Sequence, residues 1–479
     1  MSKSTRPLRV AFLHPDLGIG GAERLVVDAA LGLQELGHSV DLYTSYHDPS
    51  HCFEETRDGT LNVHYVVPPF PRSLGGKFHI LFAHLRQLHL TFHLLFWVAP
   101  KYDVYFVDQL STCIPFLRMF GNTRVVFYCH FPDKLLANGA FVEGNLVKKD
   151  VSFLKWLYRL PMDWLEEVTT RQADIILANS HFTARIFKSY FPSISQTPHI
   201  VYPGINISAY EAGVDHSDPD IIAVTSSRPT LLSLNRFEGK KNIPLALQSF
   251  AFLKNRLAEF DNLRLVLAGG YDPRLEDNVN TLEALVASAK SLSLTYTILS
   301  PKPLPPTITS LLSPQTDPQV LILLNFTTAQ RTALLTSPST LALLYTPANE
   351  HFGIVPVEAM ACGIPVLACD SGGPTESIVD HPQAERTGWL ARPDPEVWAE
   401  RLVEIVGLTE GERGMIRRNA KGRARALFGM EAMAGGLEDA LVQAVKMGPV
   451  DVFGSAGAVM MMLVGFLIAY FLGPFILPA

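Results

Sequence analysis

Charge is what this sequence has least of. Asp, Glu, Lys and Arg make up 18% of its 479 residues, against roughly 25% in an average soluble chain. The net charge of −6 leaves no basic field to hold nucleic acid. Cysteine is also scarce: Cys52, Cys113, Cys129, Cys362 and Cys369 are odd in number and form no CxxC, which excludes a disulfide scaffold and a zinc module. The N-terminal MSKSTRPLRVAFLH has too short an apolar stretch for a cleavable signal and reads as a first strand. No 20–50-residue repeat is present. The length predicts two core-forming domains and an accessory segment.

What is present in excess is apolar sequence, in three blocks. From Val452 to Ala479 there is no charged residue or histidine. Residues 452–477 would rise about 39 Å as a helix, which predicts a membrane span. Arg417, Arg418, Lys421, Arg423, Arg425 and Lys446 precede it and nothing basic follows, so the positive-inside rule puts the large domains in the cytosol. The sequons at Asn206 and Asn325 should then stay unglycosylated. The second block, 78–100, carries Phe78, Phe82, Leu85, Leu88, Phe92, Leu95 and Ala99 at helical spacing. Arg86 at its centre would cost ~2.5–3.5 kcal/mol in a span, so an interfacial or groove-lining amphipathic helix is expected. The third block, 291–349, has only Lys302, Asp317 and Arg331 as charges. Its Pro/Ser/Thr-rich part, 291–318, reads as an insertion.

Elsewhere β-branched and aromatic runs alternate with helical patterns, which predicts two open parallel α/β sheets. Candidate strands are Arg9–Leu13, Ser39–Tyr43, Asn62–Val66, Asp103–Val107, Arg124–Tyr128, Asp174–Ala178 and His199–Tyr202 in the first half. Thr230–Leu234, Arg264–Ala268, Gln319–Leu324, Leu341–Tyr345 and Pro365–Ala368 follow in the second. The expected domains are 1–205 and 230–446, joined by a linker over 206–229. Ligands of such sheets bind beyond the carboxyl ends of the strands.

Four motifs fall at those ends. PDLGIGGAER follows the first strand, and Gly18, Gly20 and Gly21 give either a tight strand–helix turn or a loop that lets backbone approach an anion. Glu23 stands where a dinucleotide fingerprint needs glycine. In LSLNRFEGKKNI, Arg236 and Lys241 form either a solvated basic loop or a guanidinium-plus-ammonium site for a diphosphate. In NEHFGIVPVEAMACGIPV, Glu350 precedes a short helix and Glu358 lies on it. The Gly353, Ile354 and Val355 amides are then unsatisfied helix-start donors. One carboxylate can meet sugar hydroxyls and the other a ribose diol; Gly372-Gly373 makes a second turn behind them. His130, in YCHFPD after the fifth strand, is either structural or part of the same ligand edge.

Together GIGGAER, the Arg236/Lys241 pair and EHFGIVPVEAMACGIPV resemble the retaining nucleotide-sugar glycosyltransferases of family 4, with the GT-B fold of two facing Rossmann-like domains. YCHFPDKLL, KWLYRLPMDWLEEVTTRQAD and NRFEGKKNI are more narrowly similar to the mannosyltransferases of dolichol-linked oligosaccharide assembly. That resemblance implies GDP-mannose as donor and a dolichol-diphosphate-linked oligosaccharide as acceptor. An α-1,3 and then an α-1,6 mannose would be added on the cytosolic face of the endoplasmic reticulum membrane, with other mannosyltransferases of the pathway as partners. It also implies that Arg236 and Lys241 bind the donor diphosphate, which Gly20 and Gly21 approach, and that Glu358 binds the ribose. Glu350 would meet the donor sugar near its anomeric carbon, and His130 would line the acceptor or donor-sugar side. No cofactor or metal is expected. A dehydrogenase, a sugar-nucleotide epimerase, a family-4 enzyme with another lipid acceptor and a non-catalytic tethered protein are the alternatives.

Overall fold

The computed structural model describes residues 6–74, 78–98, 101–132, 135, 139–142, 145–148, 153–211, 213–301, 308, 317–452, 454 and 457–461. The chain divides into two compact units: the first takes in Met1–Gly204 and Met430–Ala479, the second Ile205–Gly429.

The first unit is built on seven strands: β1 Arg9–His14, β2 Ser39–Thr44, β3 Asn62–Tyr65, β4 Val104–Asp108, β5 Arg124–Cys129, β6 Ile175–Ala178 and β7 His199–Ile200. Their order is β3-β2-β1-β4-β5-β6-β7, parallel throughout. The central strands are buried on both faces, as parallel strands under helices must be, and so read as continuous apolar runs. The helix Gly21–Glu35 turns Leu25, Val26, Ala29, Ala30 and Leu33 onto this sheet. A separate antiparallel hairpin pairs Gly139–Val142 with Asn145–Lys148.

The second unit repeats the plan with β8 Thr230–Leu234, β9 Arg264–Gly269, β10 Tyr296–Leu299, β11 Val320–Leu324, β12 Thr340–Tyr345, β13 Val366–Cys369 and β14 Gly388–Ala391. Their order is β10-β11-β9-β8-β12-β13-β14, again all parallel. In each sheet the strand order reverses direction at the centre, between β1 and β4 in the first and between β8 and β12 in the second. Open parallel sheets bind ligands at that switch point.

Three expectations need correction. The 230–446 domain does not include its last helix: Met430–Lys446 packs in the first unit, where Met433, Leu437, Leu441 and Ala444 share a core with Val26, Ala30 and Leu33. A Cβ on Gly32 would meet the Ala434 Cβ at 2.7 Å, so that glycine sets how closely the two helices approach. The 206–229 linker belongs to the second unit and holds two one-turn helices, Ser208–Glu211 and Pro219–Ile222. The 291–318 insertion contains the edge strand β10, hydrogen-bonded to β11 with Tyr296 and Ile298 turned into the core; residues 302–307 and 309–316 lie outside the described ones.

The 78–100 block is a helix over His79–His93, continued by a wider turn Leu94–Val98. Its polar side faces inward: Arg86 donates to the Ser45 carbonyl at 2.9 Å and to Asp16, and Gln87 donates to the Leu110 carbonyl at 2.7 Å. That pairing is why a buried arginine is tolerated. The opposite side, with Leu85, Leu88, Phe92 and Trp97, lines an apolar groove of about 480 Å³ with Pro69 and Phe70. Among the described residues no helix is long and apolar enough to cross a membrane, and most of 452–477 lies outside them.

Candidate active site

The second unit brings two predicted residues together. Lys241 closes a turn of 3-10 helix (Gly239–Lys241) after β8, and Glu350 sits in the loop after β12; the two strands flank the switch point. Their side chains form an ion pair, Lys241 14% and Glu350 24% exposed. Burial alone would push the Glu350 carboxyl up, but Lys241, with His351 and Lys240 further off, holds it below its ordinary range. The carboxylate is therefore ionised at neutral pH. The Tyr345 hydroxyl at the end of β12 also engages Glu350 and lies within electrostatic reach of Glu358.

Glycines shape the Glu350 loop. Gly372 has φ +71°, and a Cβ there would stand 2.4 Å from the Glu350 carbonyl oxygen. A Cβ on Gly373 would stand 2.3 Å from the Phe352 Cα, while the Gly373 amide donates to the Glu350 carbonyl at 2.8 Å. The second glycine turn is thus the surface on which the Glu350 loop rests. Gly353, with φ +86°, precedes the helix Ile354–Cys362, whose start has no side-chain cap. The first-turn amides, including Ile354 and Val355, remain donors for an anion.

Glu358 is 6% exposed. Its Oε1 accepts from the Tyr210 hydroxyl at 2.6 Å and from the Arg331 guanidinium at 3.0 Å, which leaves Oε2 without a hydrogen bond among the described residues. Burial pushes this carboxyl up, and Arg331 and Tyr210 only partly offset it. Arg236 is not drawn into either cluster: its side chain is 63% exposed and paired with Glu238 at 2.9 Å.

In the first unit the loop after β1 leads into Gly20, whose backbone is extended, and the helix it begins has no side-chain cap. The Glu23 carboxylate folds back over Gly20, while Gly18 and Gly21 have open space where a Cβ would stand. His130 follows β5 and is held by Asp108, Nε2 to Oδ2 at 3.0 Å, with its carbonyl accepting from Asn179 at 3.0 Å. Asp108, at the end of β4, is in turn held by His14 Nδ1 at 2.8 Å, from the end of β1. Asp108, His14, Tyr210, Arg331 and Tyr345 were not predicted as site residues. The strand-end positions of His14, Asp108 and Tyr345 were the available signal, because carboxyl ends of neighbouring parallel strands converge. Among the described residues no group of three or more His, Cys, Asp or Glu is placed to hold a metal.

The sequence matches the Glycosyltransferase Family 4 profile over residues 19–209 and the Glycosyl transferases group 1 profile over residues 319–423. The alpha-1,3/1,6-mannosyltransferase ALG2 of Rhizomucor pusillus is 46% identical over 446 residues, 92% of each chain. The chain belongs to the alpha-1,3/1,6-mannosyltransferase family. The alpha-1,3/1,6-mannosyltransferase ALG2 of Saccharomyces cerevisiae is 39% identical over 93% of this chain and 87% of its own. Among solved structures, sucrose-phosphate synthase from Thermosynechococcus elongatus superposes with a TM-score of 0.67 at 17% identity, over 92% of this chain and 100% of that one. Anabaena Alr3699/HepE, solved with UDP and glucose, gives 0.60 at 16%, over 91% and 99%. These two share the fold. Family membership sets aside the dehydrogenase and epimerase alternatives. Within this mannosyltransferase the group 1 match contains Arg331, Tyr345, Glu350 and Glu358, and the family 4 match contains Gly20, Gly21, Asp108 and His130.

Proposed function

We propose that this protein transfers mannose from GDP-mannose to a dolichol-diphosphate-linked oligosaccharide, first α-1,3 and then α-1,6, on the cytosolic face of the endoplasmic reticulum membrane. The observation that carries the reading is the second unit's switch point, where Lys241 and an ionised Glu350 are paired. Behind them stand a helix start with no side-chain cap and a buried Glu358 whose Oε2 has no hydrogen bond among the described residues. In this reading the donor diphosphate takes Lys241 from Glu350, draws in the exposed Arg236, and accepts from the Gly353–Val355 amides. Gly20 and Gly21 approach the same group. Glu358 Oε2 accepts from the ribose diol. Glu350, released from Lys241, meets the mannose near its anomeric carbon, and His130 meets a sugar hydroxyl. Charge developing on the leaving GDP is stabilised by these fixed donors, the largest contribution in many such sites. Attack from the face that GDP leaves would retain the configuration, with the leaving phosphate taking the acceptor's proton. No metal is assigned a part, so EDTA should leave the rate unchanged.

The membrane part of the proposal is that 452–477 anchors the chain. Val459 packs on Phe116 and Leu165 beside Leu88 and Phe92, so the uncharged tail starts next to the apolar groove. Phe96 and Trp97, 56% and 76% exposed, extend that apolar surface. The test is incubation of protein-bearing membranes with labelled GDP-mannose and synthetic mannosyl-chitobiosyl lipid, followed by linkage analysis. Sequential α-1,3 and α-1,6 products support the reading. No transfer, or transfer from a UDP-sugar or to a different lipid acceptor, overturns it.

A further inference from the structure

Three adjacent parallel strands of the first unit end in a line of titratable side chains: His14 on β1, Asp108 on β4 and His130 just past β5. Asp108 lies between the imidazoles. Its two oxygens take His14 Nδ1 at 2.8 and 2.9 Å, and Oδ2 also takes His130 Nε2 at 3.0 Å. The side chains of His14 and Asp108 are each 1% exposed, and that of His130 is 20%. The arrangement is asymmetric: one imidazole is sealed in the core and the other reaches the surface, where the family resemblance implies a sugar.

Chemistry fixes the hydrogens. Two histidines and neighbouring Asp16 and Glu23 form the charged surroundings, with Tyr128 and Cys113 as the buried neutral groups near Asp108. Burial alone would raise the Asp108 carboxyl, but His14 and His130 hold it below its ordinary range. Burial alone would lower His14, but Asp108, with Glu23 and Asp16, raises it. An ionised carboxylate only accepts. Both ring nitrogens that face Asp108 must therefore carry hydrogen, and neutral His130 must bear its proton on Nε2. Its Nδ1, which has no hydrogen-bond partner among the described residues, is then a bare acceptor.

We infer that Asp108 and His14 are positioning residues: the carboxylate, shared between the two imidazoles, locks His130 in the Nε2–H tautomer so that Nδ1 accepts a hydrogen bond from a hydroxyl of the bound sugar. Asp108 supplies the lock. His14, whose Nδ1 donates to both oxygens of Asp108, holds the carboxylate in the orientation that meets His130 Nε2. The inference rests on the mannosyl-transfer reading for the sugar, and on the geometry alone for the tautomer.

Two measurements test it on the full-length protein. The first is 15N NMR of histidine-labelled protein without substrate, with His130 assigned by difference against His130→Gln. A pyridine-type Nδ1 and a protonated Nε2 are expected; a protonated Nδ1 in the neutral ring overturns the inference whatever the enzyme transfers. The second is steady-state kinetics, with kcat and KM read separately. Asp108→Leu removes the oxygen that accepts from His130 Nε2, so kcat should fall about 10–100-fold with the KM for GDP-mannose little changed; a folded variant with a wild-type kcat overturns the lock. His14→Leu removes the donor that orients Asp108, so kcat should fall about tenfold, and His14→Gln, which keeps a donor, should restore most of it. A folded His14→Leu variant with a wild-type kcat refutes the part given to His14. If wild-type membranes transfer no mannose, the functional reading fails while the NMR result still decides the tautomer.

Discussion

Lys241→Met should turn a stabilising carboxylate into a destabilising one, and the pH dependence of stability should reveal it. Breaking a buried ion pair costs about 3–5 kcal/mol when the remaining charge is sealed from water. Lys241 and Glu350 retain 14% and 24% exposure, so about 2–3 kcal/mol is the appropriate figure. The sign follows from Glu350. In the wild type its folded-state carboxyl lies below the ordinary 4.5, so the pair contributes fully above that pH. The contribution fades as pH falls through the folded value. Without Lys241 burial dominates, and the folded-state carboxyl rises above 4.5. Glu350 then destabilises at neutral pH, and the loss shrinks as acid protonates it. The assay is urea unfolding at pH 7, 6 and 5, read by fluorescence. Trp389 and Trp398 are fully buried in the second unit and report on it. The gap between wild type and variant should narrow steadily from pH 7 to 5, and adding Glu350→Gln should close most of it. A gap under ~0.5 kcal/mol at pH 7, or one constant across the range, would refute the argument.

Other expectations are open to direct measurement. Gly373→Ala puts a Cβ 2.3 Å from backbone that cannot yield; it should displace the Glu350 loop and cut mannosyl transfer at least tenfold with a smaller effect on the fold of the first unit, checked by activity and by limited proteolysis. Arg331→Met removes the cation that opposes the burial-raised Glu358 carboxyl, so donor affinity should drop about tenfold at pH 7 and recover as pH rises; a pH-independent Kd for GDP argues against Glu358 as the ribose acceptor. Removing 452–479 should release the protein from membranes on alkaline carbonate washing unless the Phe96–Trp97 surface holds it alone, in which case the anchor has been misplaced.

Every strand named from the sequence is present; the central ones, buried on both faces, leave an unbroken apolar signature, whereas Asn62–Tyr65 and His199–Ile200 are exposed or half-buried strands at the sheet's edges. Four strands were missed: Gly139–Val142 and Asn145–Lys148, which pair only with each other, and Tyr296–Leu299 and Gly388–Ala391, four-residue edges of the second sheet. Of the two edges, Tyr296–Leu299 is hidden beside a Pro/Ser/Thr-rich segment and Gly388–Ala391 opens on a glycine. The site was legible where chemistry is local: glutamates at a helix start, cations after a strand, glycines where backbones meet. It was illegible where sheet order brings distant residues together. His14 and Asp108 are 94 positions apart and touch because β1 and β4 are neighbours. Tyr210 reaches Glu358 across 148 positions from a stretch read as a mere linker. Arg236 was right as a cation at a strand end, yet spacing alone could not foretell that its side chain would turn to Glu238 rather than to Glu350.

The first unit is discontinuous in sequence: its core is closed by Met430–Lys446, made only after the whole of Ile205–Gly429. At ~5–20 residues per second on a ribosome, that stretch takes roughly 10–45 s. Throughout that interval Val26, Ala30 and Leu33 lack the helix that covers them in the finished fold. Synthesis therefore reverses the usual order, in which the N-terminal domain is finished first. The second unit, continuous and self-contained, completes ahead of it, and the final helix closes the earlier half last. Among the described residues, that waiting apolar face is where a chaperone would be needed during birth of the chain, although nothing in the finished fold leaves it exposed.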